Sequence, residues 1–122
     1  DFKTQSDLLR TRKTPPLTII FGEEKEKKRA KHFRQPEIML GRDPHCEIHL
    51  EHETVSAHHA RLSYHHGQWW LEDLQSTNGT TLNGEKVETP TIVIGSDQIH
   101  CGKVAVEVRF SLDDISPKTR EI

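Results

Sequence analysis

Short runs of β-branched and aromatic residues, broken by turn residues, set the hydrophobic pattern of this chain. Leu17-Thr18-Ile19-Ile20-Phe21 predicts a first strand that Gly22 ends. Glu37-Ile38-Met39-Leu40 predicts another, stopping at Gly41, where a loop opens. Ile48 and Leu50 share one face along Glu47–Leu50, and Ala60, Leu62 and Tyr64 share one along His59–Tyr64, the two-residue period of half-buried strands. Strand-like segments follow at Gln68–Leu74, Thr80–Leu82 and Val87, set off by Gly67, Gly79 and the Asn83-Gly84 pair. Thr91–Ile94, Gln98–Cys101 and the alternating run Val104–Phe110 complete the series. Nothing repeats internally, and no helical period is long enough to anchor a bundle. The expected fold class is all-β, a two-sheet β-sandwich of short strands.

The polar stretches set the boundaries. Residues 1–16 are mostly polar or charged and close on Pro15-Pro16, which favours an extended entry, so they read as a flexible leader. One domain is expected over 17–111, with a charged tail over 112–122. The charge run Glu23–Lys31 reads as a long exposed loop, its Lys27-Lys28-Arg29 stretch diluted by Glu23, Glu24 and Glu26. Trp69 and Trp70 are neighbours on a strand, so one should enter the core and the other face outward.

A length of 122 residues encloses one core, and with 32% apolar and 30% charged residues that core is modest. The net charge of −2 argues against a surface built to neutralise a nucleic-acid backbone, so any anion site must be local. No run approaches the roughly 18 apolar residues of a membrane helix, and no apolar signal region follows Asp1-Phe2-Lys3, so no membrane insertion of this segment is expected. Cys46 and Cys101 are too few for a secreted disulfide framework and read as reduced thiols. That implies a cytoplasmic setting, or the nucleus in a eukaryote.

Three loop segments carry the candidate chemistry: Gly41-Arg42, Ser56-Ala57-His58-His59 and Ser76-Thr77-Asn78-Gly79. Singly each has an ordinary explanation, as a solvated arginine, a capping serine and a turn. In this order, with Cys46-Glu47-Ile48, Ala60-Arg61-Leu62 and Thr80-Thr81-Leu82-Asn83-Gly84 around them, they resemble the signature of the forkhead-associated (FHA) family: Gly-Arg, Ser-x-x-His and (Ser/Thr)-x-Asn-Gly. The resemblance spans about Leu17 to Phe110. It implies a sandwich of the FHA type with functional loops at one end, and a phosphothreonine-containing protein as partner, hence a Ser/Thr kinase acting on that partner. It also implies that Arg42 and Ser56 hold the phosphate, that Asn78 grips the peptide main chain, and that Thr77 lies beside the pocket for the threonine methyl. Gly41, His59 and Gly79 would shape the loops, His59 by hydrogen bonds within the fold.

The residue types suit that task. A phosphothreonine brings close to two negative charges and three acceptor oxygens, and it calls for fixed donors, one of them cationic. Arg42 offers a planar fork of N–H groups after a glycine that permits a tight turn, Ser56 a hydroxyl, and Asn78 an amide able to donate and accept. Ala57 departs from the commoner family pattern, in which the residue after the serine is polar or basic. Loss of one such hydrogen bond weakens binding by about 1 kcal/mol without removing the site.

Other chemistries fit less well. The nine histidines include His58-His59 and His65-His66, but adjacent strand side chains point to opposite faces and no chelating spacing appears, so neither metal nor cofactor is expected. Ser56 and His59 have no evident third group and no Gly-x-Ser-x-Gly turn around them, so no enzyme is expected. Two further readings stay open. The sandwich could serve phosphate-independent assembly or homo-oligomerisation, with the outward tryptophan in a second interface. Alternatively, Thr4, Thr11 or Thr14 of the leader, once phosphorylated, could enter the pocket in cis or from a neighbouring chain and drive self-association.

Overall fold

The computed structural model describes residues 16–21 and 28–110. Eleven strands run in chain order: β1 (Leu17–Phe21), β2 (Arg29–Phe33), β3 (Glu37–Gly41), β4 (Ile48–His49), β5 (Ala60–His65), β6 (Gln68–Asp73), β7 (Thr80–Leu82), β8 (Glu85–Lys86), β9 (Thr91–Val93), β10 (Gln98–Cys101) and β11 (Val104–Phe110). They form a six-stranded sheet ordered β2-β1-β11-β10-β7-β8 and a five-stranded sheet ordered β4-β3-β5-β6-β9. This is the all-β two-sheet sandwich that the strand rhythm predicts. Among the described residues no helix is long and apolar enough to cross a membrane. Residues 1–15 of the expected leader over 1–16, with Thr4, Thr11 and Thr14, the charge-run residues 23–27 and the expected tail over 112–122 all lie outside the described residues.

Alternation builds the core. In β1, Leu17, Ile19 and Phe21 point inward, while β11 contributes Val104, Val106 and Val108 and β3 contributes Ile38 and Leu40. Register keeps the inward set together, because Leu62 of β5 lies opposite Leu71 of β6 and Tyr64 lies opposite Trp69. Trp69 is 2% exposed, its ring 5.3 Å from that of Tyr64. Trp70 turns outward and half-buried, donates from Nε1 to the His65 carbonyl at 3.1 Å and stacks on the His65 ring. Each tryptophan therefore takes the face its position dictates.

The expected exposed loop over Glu23–Lys31 needs correction at its end, since Arg29, Ala30 and Lys31 belong to β2, paired with β1 from Phe21↔Arg29 to Leu17↔Phe33. Its side chains are exposed except for the partly buried Phe33. As an edge strand, β2 is held by main-chain pairing and carries charges that discourage further strand addition, so it lacks the apolar alternation that marks a core strand. Gly41 closes β3 rather than opening a loop, and a Cβ there would run into the Ala57 carbonyl. The Asn83-Gly84 pair turns β7 into β8 with φ of 51° and 90°, the left-handed pair a two-residue hairpin requires. Cys46 and Cys101 are both free and buried.

Leu62 is fully buried opposite Leu71. Leu62→Ala should lower unfolding free energy by about 2–5 kcal/mol, read as a fall in the urea midpoint at unchanged slope.

Candidate functional site

Antiparallel register brings the motif loops to one end of the sandwich. β3 ends beside the start of β5 (Leu40↔Ala60), the end of β6 lies on the other side of β5 (Ala60↔Asp73), and β10 ends beside the start of β7 (Cys101↔Thr80). Main-chain bonds then zip the first two loops together: His59 N–H to Leu40 O (2.8 Å), Arg42 N–H to Ser56 O (2.9 Å) and Asp43 N–H to Ala57 O (3.1 Å). The third loop closes on the second through Thr77 N–H to Ser56 Oγ (3.0 Å) and Asn78 Nδ2 to Thr54 O (2.9 Å). Arg42, Ser56, Thr77 and Asn78 thus stand on neighbouring loops, with Arg42, Thr77 and Asn78 exposed and Ser56 partly buried.

Several polar groups here remain available to a ligand. The Arg42 guanidinium has no hydrogen-bond or ion-pair partner among the described residues. Ser56 Oγ accepts from Thr77 N–H, which occupies a lone pair and leaves the hydroxyl hydrogen to donate. Asn78 commits one N–H to Thr54 and keeps its carbonyl oxygen and second N–H. Asp43, next to Arg42, is occupied elsewhere: its carboxylate accepts His45 N–H at 2.7 Å and meets His45 Nδ1 at 3.1 Å, with His58 Nε2 3.8 Å away. The His45 N–H, followed by the imidazole, holds the Asp43 carboxyl below its ordinary range. Among the described residues no three His, Cys, Asp or Glu side chains group so as to hold a metal ion.

The FHA domain family model matches residues 38–102, which contain all three motif loops and more than half of the 122 residues. The chain belongs to the FHA family. The FHA domain-containing protein FhaB of Mycobacterium tuberculosis is 39% identical over 72 residues, covering 59% of this chain and 46% of FhaB. The chain therefore spans about half the length of the curated relatives it matches. The solution structure of the FHA domain of an Arabidopsis thaliana hypothetical protein superposes with a TM-score of 0.71 at 30% identity, over 80% of this chain and 87% of that one. A solved domain from a study of phosphothreonine-dependent FHA domain interactions gives a TM-score of 0.69 at 26% identity, over 79% and 97% of the two chains.

Inside this FHA domain, a buried histidine and a half-buried aspartate hold the loops in place. His59 has no exposed surface; its Nδ1 accepts Ser56 N–H at 3.0 Å, so Nε2 carries the proton it donates to Gly79 O at 2.9 Å. A single neutral tautomer satisfies both bonds. Asp73, which no motif reading singled out, accepts from Ser76 Oγ (2.5 Å), Thr80 Oγ1 (2.6 Å) and Ser76 N–H (3.2 Å), while Ser76 Oγ accepts Gly79 N–H (3.0 Å). The Asp-x-x-Ser spacing was the local signal for this turn. Gly79 sits at φ +87°, which a side chain would strain.

His59→Ala strips both partners at once. Leaving the Ser56 N–H and Gly79 carbonyl short of their bonds should destabilise the fold by about 2–4 kcal/mol in urea titrations. Asp73 gives a pH signature. Burial pulls its carboxyl upward, but the Ser76 and Thr80 hydroxyls and the Ser76 N–H outweigh that and leave it below its ordinary range. A folded-state pKa below the unfolded one, about 3.9, adds stability that is present above that pH and lost as pH falls through the folded value. Asp73→Asn should therefore be less stable at pH 7 and show a shallower loss on acidification below about pH 4, measured as urea midpoint against pH.

Proposed function

We propose that this domain holds a phosphothreonine-containing segment of a partner protein, as a binding module without turnover. Arg42 and Ser56 hold the phosphate, Asn78 grips the peptide main chain, and Thr77 borders the space for the threonine methyl. Gly41, His59 and Gly79 shape the loops. The observation that carries this reading is that a main-chain bond joins Arg42 to Ser56 across two loops, while the guanidinium and the hydroxyl hydrogen have no partner among the described residues. A dianionic ester with three acceptor oxygens matches a charged planar donor beside a short hydroxyl donor. The solved relative studied for phosphothreonine-dependent interactions supports the same ligand class. Such a ligand requires a Ser/Thr kinase upstream.

A second reading, assembly through another face, draws on Ile92 of the edge strand β9, which lies opposite the outward Trp70, and on Ile94 just after that strand, 41% and 64% exposed. Paired peptides separate the two. A phosphothreonine peptide should bind while its unphosphorylated twin does not, and the peptide should be recovered with its phosphate intact. Arg42→Ala should lose about 2–5 kcal/mol of binding with little change in the urea midpoint. Equal affinity for the two peptides would move the assignment to the β9 face.

A further inference from the structure

The chain holds two asparagines, Asn78 and Asn83, and glycine follows each. An asparagine before glycine is open to attack on its side-chain Cγ by the next main-chain nitrogen, because glycine has no side chain to shield that nitrogen. The fold treats the two pairs differently. Asn83 is held at both ends of its amide: Nδ2 donates to Asp97 Oδ1 at 3.0 Å and Oδ1 accepts Gln98 N–H at 2.9 Å, while its own N–H donates to Gln98 O at 2.7 Å. Losing that amide would also set a new carboxylate against the buried Asp97. Asn78 is exposed and held at one end only, by the Nδ2 bond to Thr54 O. The nitrogen that would attack it belongs to Gly79, whose N–H donates to Ser76 Oγ at 3.0 Å, and that hydroxyl donates in turn to Asp73 Oδ1 at 2.5 Å. A hydroxyl backed by a carboxylate is a strengthened acceptor for the Gly79 proton.

We propose that Asn78 is a self-modification site, deamidating in the folded domain while Asn83 is spared, and that this ends the grip on bound peptide. The Gly79 nitrogen bonds to Asn78 Cγ as its proton is drawn off through Ser76 Oγ to the Asp73 carboxylate. The Cγ–Nδ2 bond then breaks, and the departing nitrogen takes up a proton from water and leaves as ammonia. Water opens the resulting cyclic imide at either carbonyl, giving aspartate or isoaspartate, with no oxidant or reductant involved. The nitrogen that leaves is the one that ties Asn78 to Thr54, so the bond closing the third loop on the second goes with it. A carboxylate has no N–H to donate and meets the Thr54 carbonyl as a second acceptor. Isoaspartate also routes the main chain through the former side chain, directly before Gly79, whose carbonyl His59 holds. The modification stands on these contacts alone, whereas the loss of binding rests on the proposed function.

The test ages the full chain at mildly alkaline pH, folded and in urea, and maps aspartate and isoaspartate at both positions by mass spectrometry after chromatographic separation. In urea the two sites should react at similar rates, since each is Asn-Gly. In the folded chain Asn78 should react about five- to tenfold faster than Asn83, the factor that one further hydrogen bond to break sets on a rate. The aged chain should lose its preference for an alanine-rich phosphothreonine peptide over the unphosphorylated twin, in step with the modified fraction at Asn78. Asn78→Asp, made directly, should lose it too while keeping a cooperative urea transition. Equal rates in the folded chain, or reaction there at Asn83 alone or at neither site, would overturn the inference. Undiminished binding by chain modified at Asn78 would overturn its effect on the grip. Should fresh chain bind the phosphopeptide no better than the twin, the proposed function fails and the loss of binding with it, while the ratio of the two sites still decides the chemistry.

Discussion

A buried imidazole bridges two of the three loops on which the candidate site is built. His59 accepts the Ser56 N–H at one ring nitrogen and donates to the Gly79 carbonyl at the other, across 20 residues of sequence. Neither bond could be replaced by water without opening a core that excludes it, since His59 has no exposed surface. Asp73 does the same for the third loop alone, gathering Ser76 and Thr80 and, through Ser76, the Gly79 N–H. Loops with such long-range and local ties are ordered before any ligand arrives. Binding then avoids part of the entropy that a flexible loop would lose on ordering.

The strands were legible because half-buried sheets write their period into the sequence: Leu17, Ile19 and Phe21 alternate with Thr18 and Ile20, as do Ala60, Leu62 and Tyr64 with Arg61 and Ser63. The charged strand β2 was illegible for the complementary reason, since an edge strand paired through its main chain need bury almost no side chain. At the candidate site, Gly41-Arg42, Ser56 and Thr77-Asn78-Gly79 stand out in the sequence because motif spacing survives in one dimension. Thr54 and Lys103 do not, because the bond that joins them spans 49 residues and uses a main-chain N–H that any residue but proline supplies. What a sequence hides is the partner of a generic group.

Charge acts at this site over short distances. The chain carries a net −2, so the molecule as a whole offers a phosphate no long-range attraction. In the role proposed for Arg42 the attraction is local, and an ion pair with the adjacent Asp43 would compete with it. The His45 N–H and imidazole engage that carboxylate instead, so Arg42 is not drawn into an ion pair with its neighbour. At physiological salt, fields fade over about 8 Å, so a guanidinium works on what touches it or nearly so.

It follows that a bare anion and a phosphorylated peptide should be held very differently. One exposed guanidinium and one hydroxyl give a small anion few directional bonds, each in competition with water, and Ala57 adds none. In the role proposed for Asn78 a peptide would gain where the anion cannot, because Asn78 keeps a carbonyl oxygen and an N–H free while its remaining N–H is anchored to Thr54. An amide fixed in that way loses little rotamer freedom when it meets a main chain. Under the proposed roles, affinity would be shared between a charge contact and a main-chain contact on loops that the bonds of His59 hold at fixed separation, so loosening His59 should weaken both together, as damage to either contact alone would not.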